Sequence, residues 1–318
     1  MTNKEIYASL CAQHDDIPIF MQAWWMDAVC AGKEWDVLLC TDQDKVLAAM
    51  PYLIRKRLGM RYVVMPQQTQ IGGIWLNPDY PTQDVLPAIC QEMADRLSAM
   101  KLCYYYQHYP VGSPCPSLFR SMKYRVRERV TYRVNDLQDM DRVIASFSKN
   151  KRRQLQKALS LNVNRQMNVE DFYRFHTRCM AEQKKQMTYT REFLLVLERK
   201  PQRLGQSCII SVSNGDGELC AAAFLVWDHS YLYYLIPCYS PLYKDSGAGA
   251  LLALEAMKVA REKGVKFDFE GSMDRGTAQH YRQFGSTPAT YYSVSKLYRW
   301  YFLSALIYNW IHNLKFHK

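Results

Sequence analysis

The sequence predicts an α+β protein of two similar units, each a mixed, mostly antiparallel sheet flanked by helices. Three observations carry this. The 318 residues are long for one core and comfortable for two domains of roughly 150 each. Both halves interleave short β-rich runs with stretches of helical spacing. Asn214-Gly215-Asp216-Gly217, between two apolar runs, reads as the tight turn of a hairpin.

In the first half, Phe20 to Ala31 reads as a helix carrying Trp24 and Trp25. Trp35–Cys40 and Lys45–Ile54 read as strands, and Gln67 to Gly73 as a polar loop beside a strand. Asp84–Met100 has helical spacing, and Leu102–Tyr109 is an aromatic strand. Tyr124–Val134 alternates with period two, setting Arg125, Arg127, Arg129, Thr131 and Arg133 on one face. The join falls near residue 140. Helices follow at Asp139–Phe147, Lys149–Leu161, Asp171–Gln183 and Arg191–Lys200. Strands at Cys208–Ser213, Leu219–Trp227 and Ser230–Cys238 precede a helix over 247–264. A strand 266–270, a short helix near 277–284, a strand 289–296 and an apolar C-terminal helix complete the chain.

Composition narrows the function. Hydrophobic residues are 48% and aromatics 13%, with 23 Tyr, which is globular rather than disordered. The ten cysteines are scattered, with no Cys-x-x-Cys and no histidine at metal spacing, so free thiols in a reducing cytoplasm are expected and a metal is not. No signal-peptide pattern opens the chain and no 18-residue apolar run occurs. No Gly-x-Ser-x-Gly or Cys/His nucleophile pattern occurs, so no covalent intermediate is expected. The net charge is +11, and residues 120–157 hold twelve Lys or Arg against four acids, a net of +8. An anionic partner follows, though charge alone does not name it.

Residues 244–285 are the most informative. Lys244-Asp245-Ser246-Gly247-Ala248-Gly249 is a glycine turn entering a helix, where free backbone N–H groups suit an anion. Lys266-Phe267-Asp268-Phe269-Glu270-Gly271 is a strand ending in acids two apart, which face one way. Either could accept a proton, unless both serve to pair basic side chains such as Arg152 or Arg153. The run Lys149 to Lys157 has five Lys or Arg and no acid in nine residues, suiting phosphates of a nucleotide-linked substrate, tRNA or an anionic lipid.

The run 207–296 resembles the core of the GNAT acyltransferase fold, in which a Gln/Arg-x-x-Gly-x-Gly/Ala turn receives the pyrophosphate of acyl-coenzyme A. Lys244, Gly247, Ala248 and Gly249 occupy that pattern here. The whole chain, from about residue 18 to 314, resembles the FemAB-like and BioF2-like acyltransferases, which carry two GNAT-like domains. The resemblance rests on Phe20-x-Gln22-x-x-Trp25, Pro51-Tyr52, the Gln67–Gly73 loop, Arg152-Arg153-Gln154-Leu155-Gln156-Lys157-Ala158, Phe267 to Ser272 and Tyr281-Arg282-Gln283-Phe284-Gly285. It implies a first domain over 1–140, a second over 141–296, and a helix over 297–318 strapped back on the first. It also implies a cytoplasmic enzyme that moves an acyl or aminoacyl group from coenzyme A or tRNA to an amine, with acyl-coenzyme A as a possible co-substrate. The acceptor would be an anionic, amine-bearing precursor of the cell envelope such as peptidoglycan. Asp268 and Glu270 would handle the proton, and Arg282, where the family often carries Lys, would steady the oxyanion. Arg152, Arg153, Lys157, Lys185 and Tyr189 would border the substrates. DNA is not an expected partner. The C-terminal helix, with Lys315 and Lys318 beside it, leaves a peripheral membrane contact open. The competing class is a non-catalytic double-GNAT scaffold that binds RNA or an anionic membrane surface through residues 120–157.

Overall fold

The computed structural model describes residues 1–298 apart from 31, 44 and 58. Two compact units form: residues 1–129 with the described residues from 290 onward, and residues 130–289. This division differs from the expected one at 140 and 296. The physical reason is strand pairing: the chain passes between units inside two strands, not in a linker. The expected C-terminal helix lies, beyond Tyr298, outside the described residues.

In unit 1, α1 (Asn3–Gln13) opens the chain. It was not expected, because its face is mostly polar; a capping box holds its start. Glu5 N–H donates to Thr2 Oγ1 at 3.3 Å, and Thr2 N–H donates to the Glu5 carboxylate at 2.8 Å. The expected Phe20–Ala31 helix is shorter, a 3-10 turn Ile19–Met21 followed by α2 (Ala23–Val29). The sheet comprises β1 (Glu34–Asp42), β2 (Lys45–Arg57), β3 (Met60–Val64), β4 (Trp75–Leu76) and β5 (Tyr104–Tyr109). It also takes the 292–297 part of β12 (Thr287–Leu297). Its order is β1-β2-β3-β5-β12, with β4 on β2. All pairs are antiparallel except β3 with β5. A parallel pair needs a crossover, which α3 (Leu86–Ala99) supplies, burying Ile89, Cys90, Met93 and Leu97 at helical spacing. β3 and the short α4 (Cys115–Ser121) were also not expected.

Unit 2 repeats the plan. The C-terminal half of β6 (Arg125–Val134) pairs with β11 (Lys266–Gly271), β11 runs parallel to β10 (Tyr231–Tyr239), and β9 (Leu219–Trp227), β8 (Ser207–Ser213) and β7 (Asn162–Asn164) continue antiparallel. The expected hairpin joins β8 to β9 at Asn214–Gly217, with Gly217 N–H donating to Asn214 O at 3.1 Å. Five helices precede the hairpin or follow it: α5 (Met140–Ser146), α6 (Lys149–Lys157), α7 (Val169–Glu182), α8 (Arg191–Arg203) and, bridging the parallel pair, α9 (Ala248–Glu262). A sixth, α10 (Arg275–Arg282), follows β11. Alternation sorts the strand residues. Ala221, Ala223 and Leu225 enter the core built with α9, Phe267 and Phe269, while Phe224 between them meets Phe172 of α7.

Candidate active site of unit 2

β11 does not run to its end as a regular strand. Its register with β6 slips between Asp268 and Gly271, and Glu270 sits at φ +60°, a left-handed conformation that costs a non-glycine residue about 1–2 kcal/mol. Asp268 holds the bulge. Its Oδ1 accepts the Glu270 N–H at 2.8 Å and the Thr131 hydroxyl, and its Oδ2 accepts Arg133 Nε at 2.8 Å. Arg133 in turn donates to Tyr231 OH at 3.2 Å and lies 4.1 Å over that ring. Asp268 is fully buried, and burial outweighs Arg133, so its carboxyl is held above the ordinary range.

The two acids therefore do different work. Because of the bulge they do not share one environment, as simple alternation suggested. The partner of Asp268 is Arg133 of the neighbouring strand, not Arg152 or Arg153. Glu270 is the free group: its Oε1 is buried and has no hydrogen-bond partner among the described residues. Burial, then the Asp268 charge, pushes its carboxyl well above the usual range.

Tyr281 lies within reach of this charge, with Tyr239 beside it. Tyr281 of α10 stacks on Phe269 at 4.6 Å, and its hydroxyl is raised by burial and by the charges of Tyr239, Glu270 and Asp268. Tyr239 shares a 3.1 Å hydrogen bond with Tyr234 and is pushed up to about 12, chiefly by burial. Arg282, one residue past Tyr281, is exposed, with its guanidinium 5.6 Å over the Tyr132 ring. It makes no hydrogen bond to Asp268 or Glu270 among the described residues.

The glycine turn stands against this cluster. Gly247 caps α9 at φ +85°. A Cβ there would overlap the backbone oxygen of Gln154 in α6 and come 3.2 Å from Ala158 Cβ. A Cβ on Gly249 would meet the Tyr239 ring at 3.2 Å. Ala248 N–H already donates to Ser246 Oγ at 3.2 Å. The Cβ sides of both glycines are thus closed by α6 and Tyr239, which leaves little room there for any side chain. Lys244 remains exposed at the rim.

α6 places its basic residues unequally. Arg152, Arg153 and Lys157 are exposed, Arg152 donating to Ala145 O at 2.7 Å. Lys151, immediately before Arg152 in sequence, is 3% exposed. Its Nζ donates to Gln154 Oε1 at 3.0 Å, lies 3.4 Å from His280 Nδ1 and sits 4.7 Å over the Phe284 ring. Burial lowers the ammonium to about 8, and burial with the nearby Lys151 charge lowers His280 to about 4. At neutral pH this is a buried cation facing a neutral imidazole. Of the remaining expected residues, Lys185 is exposed and donates to Gln183 Oε1 at 3.0 Å. Tyr189 is buried, sharing a 2.5 Å hydrogen bond with His176.

The sequence singles out Asp268, Glu270 and the glycines; Thr131, Arg133, Lys151, Gln154, Tyr239 and His280, which the structure sets against these elements, are not singled out as site residues there. Alternation had set Thr131 and Arg133 on the face that meets Asp268, which was the available signal. Nothing marked Lys151 apart from its four basic neighbours. Among the described residues no cluster could hold a metal, and no helix is long and apolar enough to cross a membrane.

Comparison with known proteins places this geometry. The Acetyltransferase (GNAT) domain family matches residues 120–283, which contain the bulge, the glycine turn and α10 up to Arg282. The structure of FemX is similar at a TM-score of 0.69, with 12% identity over 92% of this chain and 96% of that one. A tandem GNAT protein from the clavulanic acid biosynthesis pathway aligns at 0.56 and 10% identity, covering 92% and 93%. The C-terminal domain of a putative lysylphosphatidylglycerol synthetase from Agrobacterium fabrum aligns at 0.56 and 13%, covering 95% of each. No curated protein matches the chain. With a parallel pair bridged by a helix in each unit and a family match over half its length, the chain belongs to the GNAT acetyltransferase-domain family, is an N-acyltransferase, and has a tandem, FemAB-like build.

Proposed function

We propose that unit 2 moves an acyl or aminoacyl group from a carrier ester or thioester to an amine, with Glu270 as the proton acceptor. The observation that carries this is the Oε1 of half-buried Glu270, itself buried and without a hydrogen bond among the described residues, on a strained bulge that Asp268 secures. A carboxylate raised in this way is a stronger base than one in water. The amine nitrogen forms a bond to the carbonyl carbon, its proton passes to Glu270, and the C–O or C–S bond to the carrier breaks. The carrier leaves as hydroxyl or thiol, taking one proton from the Tyr281 hydroxyl, which recovers it from the acid form of Glu270. Asp268 is a positioning residue that fixes the bulge and raises its neighbour by charge. Arg282 lies exposed over Tyr132 and makes no hydrogen bond to either acid among the described residues.

The donor is a coenzyme A thioester or an aminoacyl-tRNA. Phosphates of either carrier would meet Lys244 and the exposed Arg153 and Lys157 at the rim. For the acceptor we propose an anionic, amine-bearing precursor of the cell envelope; the likeness to FemX and to a putative lysylphosphatidylglycerol synthetase supports that class. The test is incubation of the purified protein with acyl-coenzyme A and charged tRNA donors and amine-bearing envelope precursors, read by mass spectrometry. A mass gain on an amine supports the reading. No transfer from any donor, with intact protein, removes it.

A further inference from the structure

One end of unit 2 combines exposed leucines, which the reaction does not use, with the rim cations that would also meet the carrier phosphates. Leu159 and Leu242 are 79% and 76% exposed, far more than most leucines. They belong to one region: Leu159 follows Ala158, whose Cβ lies against Gly247, and Leu242 lies in the short turn Pro241–Tyr243 that leads into Gly247. Arg153, Lys157 and Lys244 are exposed on the same segments. Lys184 is exposed beside Gln183, whose side chain donates to Tyr239 O at 3.4 Å and so brings the end of α7 to the end of β10. None of these four cations has an acid within ion-pair distance among the described residues. The acids nearby are Asp245, which is exposed, Glu182, which is 3.9 Å from Arg178, and Glu218, which Asn214 and Tyr243 hold.

We propose that this end of unit 2 docks on an anionic lipid surface, Leu159 and Leu242 entering the headgroup–acyl boundary and Arg153, Lys157, Lys184 and Lys244 meeting the lipid phosphates. Cations alone would suit any polyanion. The leucines decide between them, because a bilayer takes up aliphatic side chains flanked by Lys and Arg, whereas a nucleic-acid backbone would leave both in water. The surface surrounds the start of α9, so docking would turn the rim of the active site toward the membrane. The inference stands on the surface alone and does not depend on the identity of the donor or acceptor.

The test is sedimentation of the full chain with vesicles of phosphatidylcholine alone and of phosphatidylcholine with about one-third phosphatidylglycerol, the anionic lipid supplying the surface potential. Binding to the second and not the first is expected. Lys157→Ala and Lys244→Ala should each lower the partition about fivefold. The pair Leu159→Ser and Leu242→Ser, at solvated positions and with an unchanged melting temperature, should lower it at least about tenfold. The proposal is overturned if anionic vesicles do not sediment the protein, or if the leucine pair binds them as tightly as the parent. It is equally overturned if only added total tRNA is bound and the leucine pair binds that RNA unchanged.

Discussion

Replacing Gly247 by Ala tests whether this turn is a packing device. The residue sits at φ +85°, where a Cβ costs about 1–2 kcal/mol. The new Cβ would also overlap the Gln154 backbone oxygen, with Ala158 Cβ 3.2 Å away. A backbone oxygen cannot rotate aside, so α6 must shift, adding about 1–3 kcal/mol of overpacking. Gly217 supplies the control, with φ +82° and nothing within 4 Å of its would-be Cβ. Gly217→Ala should cost only the conformational term, about 1–2 kcal/mol, and Gly247→Ala about 2–5 kcal/mol in total. Urea unfolding read as a midpoint shift at constant slope measures both. Equal losses in the two variants would refute the close approach of α6.

Three further outcomes follow from the same site. Arg133→Ala leaves Asp268 fully buried without its cation, and should cost about 3–5 kcal/mol; a loss below about 1 kcal/mol in chemical denaturation would contradict the pairing. Lys151→Met removes a buried ammonium of similar length, and should stabilise the protein at neutral pH by on the order of 1 kcal/mol. The sign is testable by pH: between about 8 in the folded chain and the ordinary 10.5, the unfolded chain holds a proton the folded one lacks. Wild-type stability therefore rises with pH across that window and the variant loses that slope. Glu270→Gln should stabilise the fold at neutral pH, since a carboxyl raised on folding makes wild-type stability fall as pH rises from the ordinary carboxylate range toward its folded value. Melting temperatures across pH check both, and a less stable Gln variant at neutral pH would contradict the unpartnered burial of Glu270.

Much of the fold was legible because the signals were local. β9 carries its expected limits, Leu219–Trp227, because Asn214–Gly217 and the turn at Asp228 bracket an unbroken apolar run. β6 was legible from alternation and α9 from its apolar face. What failed was α1, whose buried face is little more than Tyr7 and Leu10, and the division into units, which depends on whether β6 ladders to β11. The site shows the same limit. Two acids at i and i+2 could be read as a pair, but a register slip and a positive φ at Glu270 separate their roles. The two glycines could be read as a phosphate turn, but only the approach of Gln154 and Tyr239 shows the packing that also requires small residues there. Lys151 is one of five bases in its run, and burial alone sets it apart.

The most direct test of the central claim is the pH dependence of transfer by wild type and Glu270→Gln, using a donor and acceptor found in the mass-spectrometric assay. With Glu270 as base, the wild-type rate climbs with pH through a value above the usual carboxylate range, and the Gln variant is slower by about 10²–10⁴-fold with that limb missing. A Gln variant that keeps the wild-type rate and the same limb would contradict the account.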